Sequence, residues 1–302
     1  MRRANIWMIH GPTASGKTKL AIEWAKSLRC EILNCDARQI YKELKIGVAR
    51  PSNQELQKIN HIGIASHSIH DPVSAVSYSK WAIPLIRTSL IKNGNIVIVG
   101  GSGLYAKAIL YELDVLPNEN MELREKLQKQ WDEEPNQLVE YLKEMDPEYA
   151  NECDIKNSRR VIRAIEVIKT SGKKFSDLRT QKFLISNFDA NIYEYAICPD
   201  FQELETRILL RTKNMFDSGL QREAMELEKY RELRALQTVG YKEFYTNPKA
   251  SRKELILLIA LRTRQYAKKQ ITWLKKDKNI IKMSPKNIAK LELSNFNLSK
   301  SK

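Results

Sequence analysis

An α/β fold, a parallel sheet flanked by helices and carrying a helical insertion, is what this 302-residue sequence predicts. Two observations support that expectation. Residues 1 to about 115 alternate short β-rich runs with helical patterns, the order a parallel sheet requires. From Pro117 to about Tyr149 the composition turns to Glu, Lys and Gln, with apolar residues at helical spacing.

The elements follow in order. Ile6 to Ile9, Cys30 to Cys35 and Ile96 to Val99 read as strands, with Thr18 to Leu28 and Ser79 to Lys92 as helices between them. Leu123, Leu127 and Trp131, then Leu138, Tyr141 and Leu142, mark helix faces in the insertion. After Asn157 an amphipathic helix, Arg160 to Thr170, ends at the stop Ser171-Gly172-Lys173. Residues 191–198 read as a further strand and Glu254 to Lys276 as a long basic helix; the Lys/Asn/Ser-rich tail after Ile280 reads as frayed. The expected division is a core of residues 1–116 and 157–302 with an insertion at 117–156.

Charge narrows the partners. Lys and Arg number 51 against 36 Asp and Glu, a net +15 that attracts polyanions, nucleic acid foremost. A Lys-rich proteome gives the same excess, so charge alone does not decide. Cys30, Cys35, Cys153 and Cys198 form no C-x-x-C pair or disulfide framework and read as reduced thiols. Met1-Arg2-Arg3 runs straight into the first strand, leaving no room for a signal segment. No stretch approaches the ~20 apolar residues of a membrane span. A cytoplasmic protein without a membrane partner is the expectation.

Three strand ends carry the chemistry. Gly11-Pro12-Thr13-Ala14-Ser15-Gly16-Lys17-Thr18 matches G-x-x-x-x-G-K-[ST] between a strand and a helix, the context of a phosphate-binding P-loop. Its amides and the helix N-terminus cradle phosphate, Lys17 adds a charge, and the Thr18 hydroxyl suits Mg²⁺. The fold class is therefore a P-loop NTPase-like parallel sheet. The second strand ends at Asp36, which reads either as a cap of the next helix or as a reactive carboxylate on the same sheet edge. The third ends at Gly100-Gly101-Ser102-Gly103, a tight turn that also brings Ser102 to that edge.

The residues resemble the tRNA dimethylallyltransferases, also called tRNA isopentenyltransferases. GPTASGKT at 11–18 looks like that family's own P-loop, and the resemblance continues in Asp36-Ala37-Arg38-Gln39-Ile40-Tyr41, GGSGLY at 100–105 and Arg159-Arg160-Val161-Ile162-Arg163. It runs on through Arg207 to Arg211, Val239-Gly240-Tyr241-Lys242-Glu243 and Thr263-Arg264-Gln265 to Trp273, in family order over about residues 6–276. The chain departs from the pattern at Ala37 and Ser102, where the family usually has Ser and Thr, and at Arg159, where it has Gln.

The resemblance implies transfer of a dimethylallyl group from dimethylallyl diphosphate to N6 of adenosine 37 in the tRNA anticodon loop. Asp36 would be the general base, with Lys17, Thr18 and Mg²⁺ stabilising the leaving diphosphate. Residues 11–18 would hold that diphosphate. Arg207 and Arg211, four apart on one helix face, are assigned to it too; a solvated basic stripe is the alternative reading. Asp36, Ala37, Arg38, Gln39, Ser102, Arg124, Arg159, Arg160, Val161, Ile162 and Arg163 would contact the tRNA, together with Lys242, Arg264 and Lys269. A monomer is expected. The competing readings are an adenylate isopentenyltransferase acting on free nucleotide and a P-loop kinase or NTP-driven nucleic-acid-binding protein; the latter would need an acidic strand end where this chain has Gly100-Gly101.

Overall fold

The computed structural model describes residues 3–111, 114, 116–179 and 188–291. Among the described residues six strands form one sheet: β1 (Ala4–His10), β2 (Ile32–Asn34), β3 (His61–Ile62), β4 (Asn95–Val99), β5 (Ala190–Ile197) and β6 (Ile281–Met283). Their spatial order is β3-β2-β4-β1-β5-β6, and every pairing is parallel. The fold class expected from the sequence is the one found.

Helices alternate with these strands: α1 (Lys17–Leu28), α2 (Asn53–Lys58), α3 (Ala75–Asn93) and α4 (Gly103–Leu110). Ile6, Trp7, Met8 and Ile9 of β1 and Ile96, Val97 and Ile98 of β4 are at most 1% exposed. Such unbroken apolar runs are what a sheet covered on both faces requires.

A second compact unit, Tyr111–Ile185, is helical: α5 (Met121–Glu133), α6 (Pro135–Met145), α7 (Pro147–Glu152), α8 (Ser158–Ser171) and α9 (Phe175–Leu178). Its extent corrects the expected 117–156. The stripe Val161, Ile165 and Ile168 of α8 buries against Leu127, Leu138 and Leu142 of α5 and α6, so α8 belongs to this unit rather than to the sheet. Val161 and Ile162, two of the expected tRNA contacts, are 0% and 5% exposed within this core, so their side chains pack inward.

The chain then returns to the first unit, Met1–Leu110 with Ser186–Lys302, through α10 (Phe201–Asp217), α11 (Leu220–Glu226), α12 (Lys242–Thr246), α13 (Arg252–Lys276) and α14 (Pro285–Ala289). The expected fraying after Ile280 does not hold up to residue 291. Tyr195, Ala196 and Ile197 pair with Ile281, Lys282 and Met283, and Ile280 and Ile288 are buried. Residues 292–302 of that tail lie outside the described residues. Among the described residues no helix is long and apolar enough to cross a membrane.

Candidate active site

Strand order sets the site. β2, β4 and β1 are consecutive neighbours, so the segments leaving their C-terminal ends emerge side by side: Cys35-Asp36, Gly100 to Gly103, and residues 11–18. Close packing joins the first two. A Cβ on Gly100 would fall 1.9 Å from the Cys35 carbonyl oxygen, so any larger residue would push the Asp36 strand end away. The Ser102 hydroxyl accepts the Ala37 N–H at 2.9 Å, which fixes the turn after Asp36. That bond uses the backbone of residue 37, which Ala supplies as well as Ser.

The glycine-rich loop has the geometry of an anion cradle. Ala14 holds a left-handed φ of +62°, a conformation that costs a non-glycine residue energy. Ser15 Oγ is buried without a hydrogen-bond partner, and Lys17 Nζ folds back to donate to the Pro12 carbonyl at 2.7 Å. Buried polar groups left unmatched by protein are matched by ligand or water, and an anion fits this set.

A cavity of about 610 Å³ opens over these loops, lined among others by Ser15, Lys17, Thr18, Asp36, Arg207 and Arg211. The charges interact. Burial pulls the Lys17 ammonium down to about 8, with the Asp36 carboxylate opposing the drop and Arg211 adding to it. Burial likewise lowers the Arg211 guanidinium, and Asp36 raises it part of the way back. Asp36 Oδ1 accepts backbone N–H groups from Arg38 at 2.9 Å and Gln39 at 3.4 Å. Those two bonds are of the capping type, yet among the described residues Oδ2 meets no donor. The carboxylate thus caps its own turn and also lines the cavity.

Two further side chains come from α13. Gln270 accepts the Thr13 N–H at 2.9 Å and donates to the Gly101 carbonyl at 3.0 Å, stitching the first and third strand ends together. One turn earlier Tyr266 presents an aromatic ring to the cavity. Burial raises its phenol to about 12, Asp36 adding to the rise and Arg38 opposing it. Neither residue was assigned a site role from sequence. Their i, i+4 spacing on a basic helix gives one face, but nothing in it tells which.

A sequence profile described as IPP transferase matches residues 39–277. The tRNA dimethylallyltransferase of Cytophaga hutchinsonii is 35% identical over 292 residues, covering 94% of each chain. The enzyme of the same name from Christiangramia forsetii is 40% identical over 275 residues, 90% of each. This chain belongs to the IPP transferase family. The crystal structure of the tRNA isopentenylpyrophosphate transferase of Bacillus halodurans aligns with a TM-score of 0.67 at 26% identity, over 98% of this chain and 93% of that one. A eukaryotic dimethylallyltransferase solved acting on tRNA shares the fold, with a TM-score of 0.77 at 22% identity over 97% of this chain and 77% of that one.

The remaining expected residues divide by environment. Gly16, Thr13, Ala37, Arg38, Gln39 and Ser102 line the cavity. The Gln39 amide donates to the Val48 and Ala49 carbonyls at 3.1 and 3.0 Å, so that side chain holds a neighbouring loop. Arg207 lines the cavity while paired with Glu203 at 2.5 Å, and Arg264 pairs with Glu205 at 3.0 Å. Lys242 and Lys269 are exposed. In the helical unit Arg159 and Arg160 are exposed, whereas Arg124 and Arg163 both bind the fully buried Glu166, at 2.9 and 2.7 Å. Burial alone would raise the Glu166 carboxyl, but hydrogen bonds from Arg163, the Asn120 N–H and Arg124 hold it below the usual carboxylate range.

Proposed function

We propose that this protein transfers a dimethylallyl group from dimethylallyl diphosphate to N6 of adenosine 37, beside the tRNA anticodon. The products are N6-dimethylallyladenosine and diphosphate. The observation that carries the reading is one cavity lined at once by the cations Lys17 and Arg211 and by the carboxylate Asp36. In the step, N6 forms a bond to C1 of the allylic donor as the C1–O bond breaks. The electron pair leaves on the diphosphate, and the N6 proton passes to Asp36 Oδ2.

Lys17, Arg211 and the loop amides stabilise negative charge as it builds on the leaving group. Thr18 lines the same cavity, and its hydroxyl is a hard oxygen donor of the kind Mg²⁺ takes. A Mg²⁺ held at Thr18 would neutralise diphosphate charge there. Tyr266 offers an aromatic face to an extruded base, and exposed Lys and Arg track phosphates. The protein acts as a monomer in the cytoplasm. The relatives named above are tRNA enzymes by name, which disfavours free nucleotide as acceptor and the kinase alternative.

The test is transfer from labelled dimethylallyl diphosphate, with Mg²⁺, to unmodified tRNA and to AMP in parallel. Label is expected on tRNA alone. Asp36→Asn should slow transfer about a thousandfold while leaving diphosphate affinity intact. Transfer to AMP at the tRNA rate, or an unimpaired Asp36→Asn, would overturn the reading.

A further inference from the structure

Within the 45–49 loop, Gly47, Val48 and Ala49 line the cavity, and the structure shows what holds that loop. Glu223, on α11, accepts the Ile46 N–H at 2.9 Å and the Gly47 N–H at 3.1 Å, and the Tyr241 hydroxyl at 2.5 Å. Several donors converging on one carboxylate make charge-assisted bonds, stronger than neutral ones. The approach is close, since a Cβ on Gly47 would lie 2.5 Å from the Tyr241 ring. Arg50 closes the other side, donating to the Tyr41, Lys42 and Leu44 carbonyls at 2.7, 2.7 and 2.6 Å.

The held loop then grips the turn that carries the base. The Val48 and Ala49 carbonyls receive the Gln39 amide, and the Gln39 backbone N–H donates to Asp36 Oδ1. Hydrogen bonds therefore run without a break of structure from Glu223, through residues 46–49 and Gln39, to Asp36. The Gln39 and Arg38 N–H groups occupy Oδ1 of a carboxylate that lines the cavity.

We propose that Glu223 is a positioning residue for the transfer reaction, setting the Asp36 carboxylate through the 45–49 loop and Gln39. Glu223 itself has no contact with the reacting atoms. The proposal rests on Asp36 as the base, and its test separates the two. Misplacing a catalytic group by a fraction of an ångström costs rate with little effect on ground-state binding.

In Glu223→Gln the amide cannot accept every donor the carboxylate does, so the loop loosens without a change of side-chain volume. The expected result is kcat lowered about tenfold, with KM for dimethylallyl diphosphate unchanged. Tyr241→Phe removes one donor and should give a smaller loss in the same direction. Gln39→Ala combined with Glu223→Gln should be no worse than the more damaging single change, because both cut one chain. Additive losses, or a wild-type kcat in Glu223→Gln while Asp36→Asn is inactive, would overturn the relay and leave Asp36 as base.

Residue-resolved amide hydrogen exchange gives a readout that needs no activity. The Gln39 and Arg38 amides should exchange about tenfold faster in Glu223→Gln at an unchanged melting temperature. Unchanged protection of those two amides defeats the proposal whatever reaction the protein catalyses.

Discussion

Arginine is used in opposite ways in the two compact units. In the helical unit Arg124 and Arg163 converge on Glu166, a carboxylate with no exposed surface that also takes the Asn120 N–H at 2.6 Å. In the sheet unit Arg211 sits in the cavity wall and, among the described residues, meets no hydrogen-bond acceptor. Its charge answers to Asp36 through space, and burial still lowers its pKa. The paired cations are tied into the helical core, whereas Arg211 lines a cavity with no acceptor among the described residues. Residue type is alike in the two regions, so the contrast lies in the partners.

The largest effect expected from this contrast falls on stability. Glu166→Ala leaves two arginines and an N–H without their acceptor and should lower unfolding free energy by about 3 kcal/mol, read by urea denaturation. A wild-type midpoint would erase the distinction between the regions. Arg211→Leu should do the reverse. It removes a buried charge that has no acceptor among the described residues, so the midpoint stays or rises, while transfer slows about a hundredfold. Loss of folding in that variant would instead make Arg211 structural.

The smallest expected effect sharpens the comparison through pH, with Lys17 as the titrating group. Its folded pKa, about 8, lies below the 10.5 of an ordinary lysine. Between those values the unfolded chain binds the proton and the folded chain does not, so the Lys17 contribution to stability rises with pH across that window. Binding runs the other way. A non-transferable dimethylallyl diphosphate analogue should bind evenly below pH 8 and lose about tenfold in affinity per pH unit above it. Both slopes are read as differences from Lys17→Met, and slopes of the same sign would show that Lys17 does not meet the anion.

Much of the site was legible in the sequence because its signals are local. The 11–18 loop advertises itself by glycine spacing between a strand and a helix, and Asp36 by its place just past a strand end. What escaped is non-local. Glu223 meets residues 176 to 178 positions away, and Gln270 reaches Thr13 across 257. Neither has a sequence pattern of its own. The burial of Val161 and Ile162 was also hidden, because a motif spanning one helix turn includes both its faces, and only packing shows which face Leu138 and Leu142 cover. Strand β6 was missed for a related reason: Ile281 to Met283 is too short and exposed to signal a strand without β5 beside it.

The sequence by itself determined the alternation of strands and helices, the phosphate loop and the acidic strand end, since each depends on backbone preferences within a few residues. Tertiary structure alone decided which charges are matched. It gave Arg163 a buried carboxylate and Arg211 an open cavity, and it tied Asp36 to Glu223 through a loop neither adjoins. The physical reason is that a side chain's charge is written in the chain, but its solvation and partners depend on what folding places beside it.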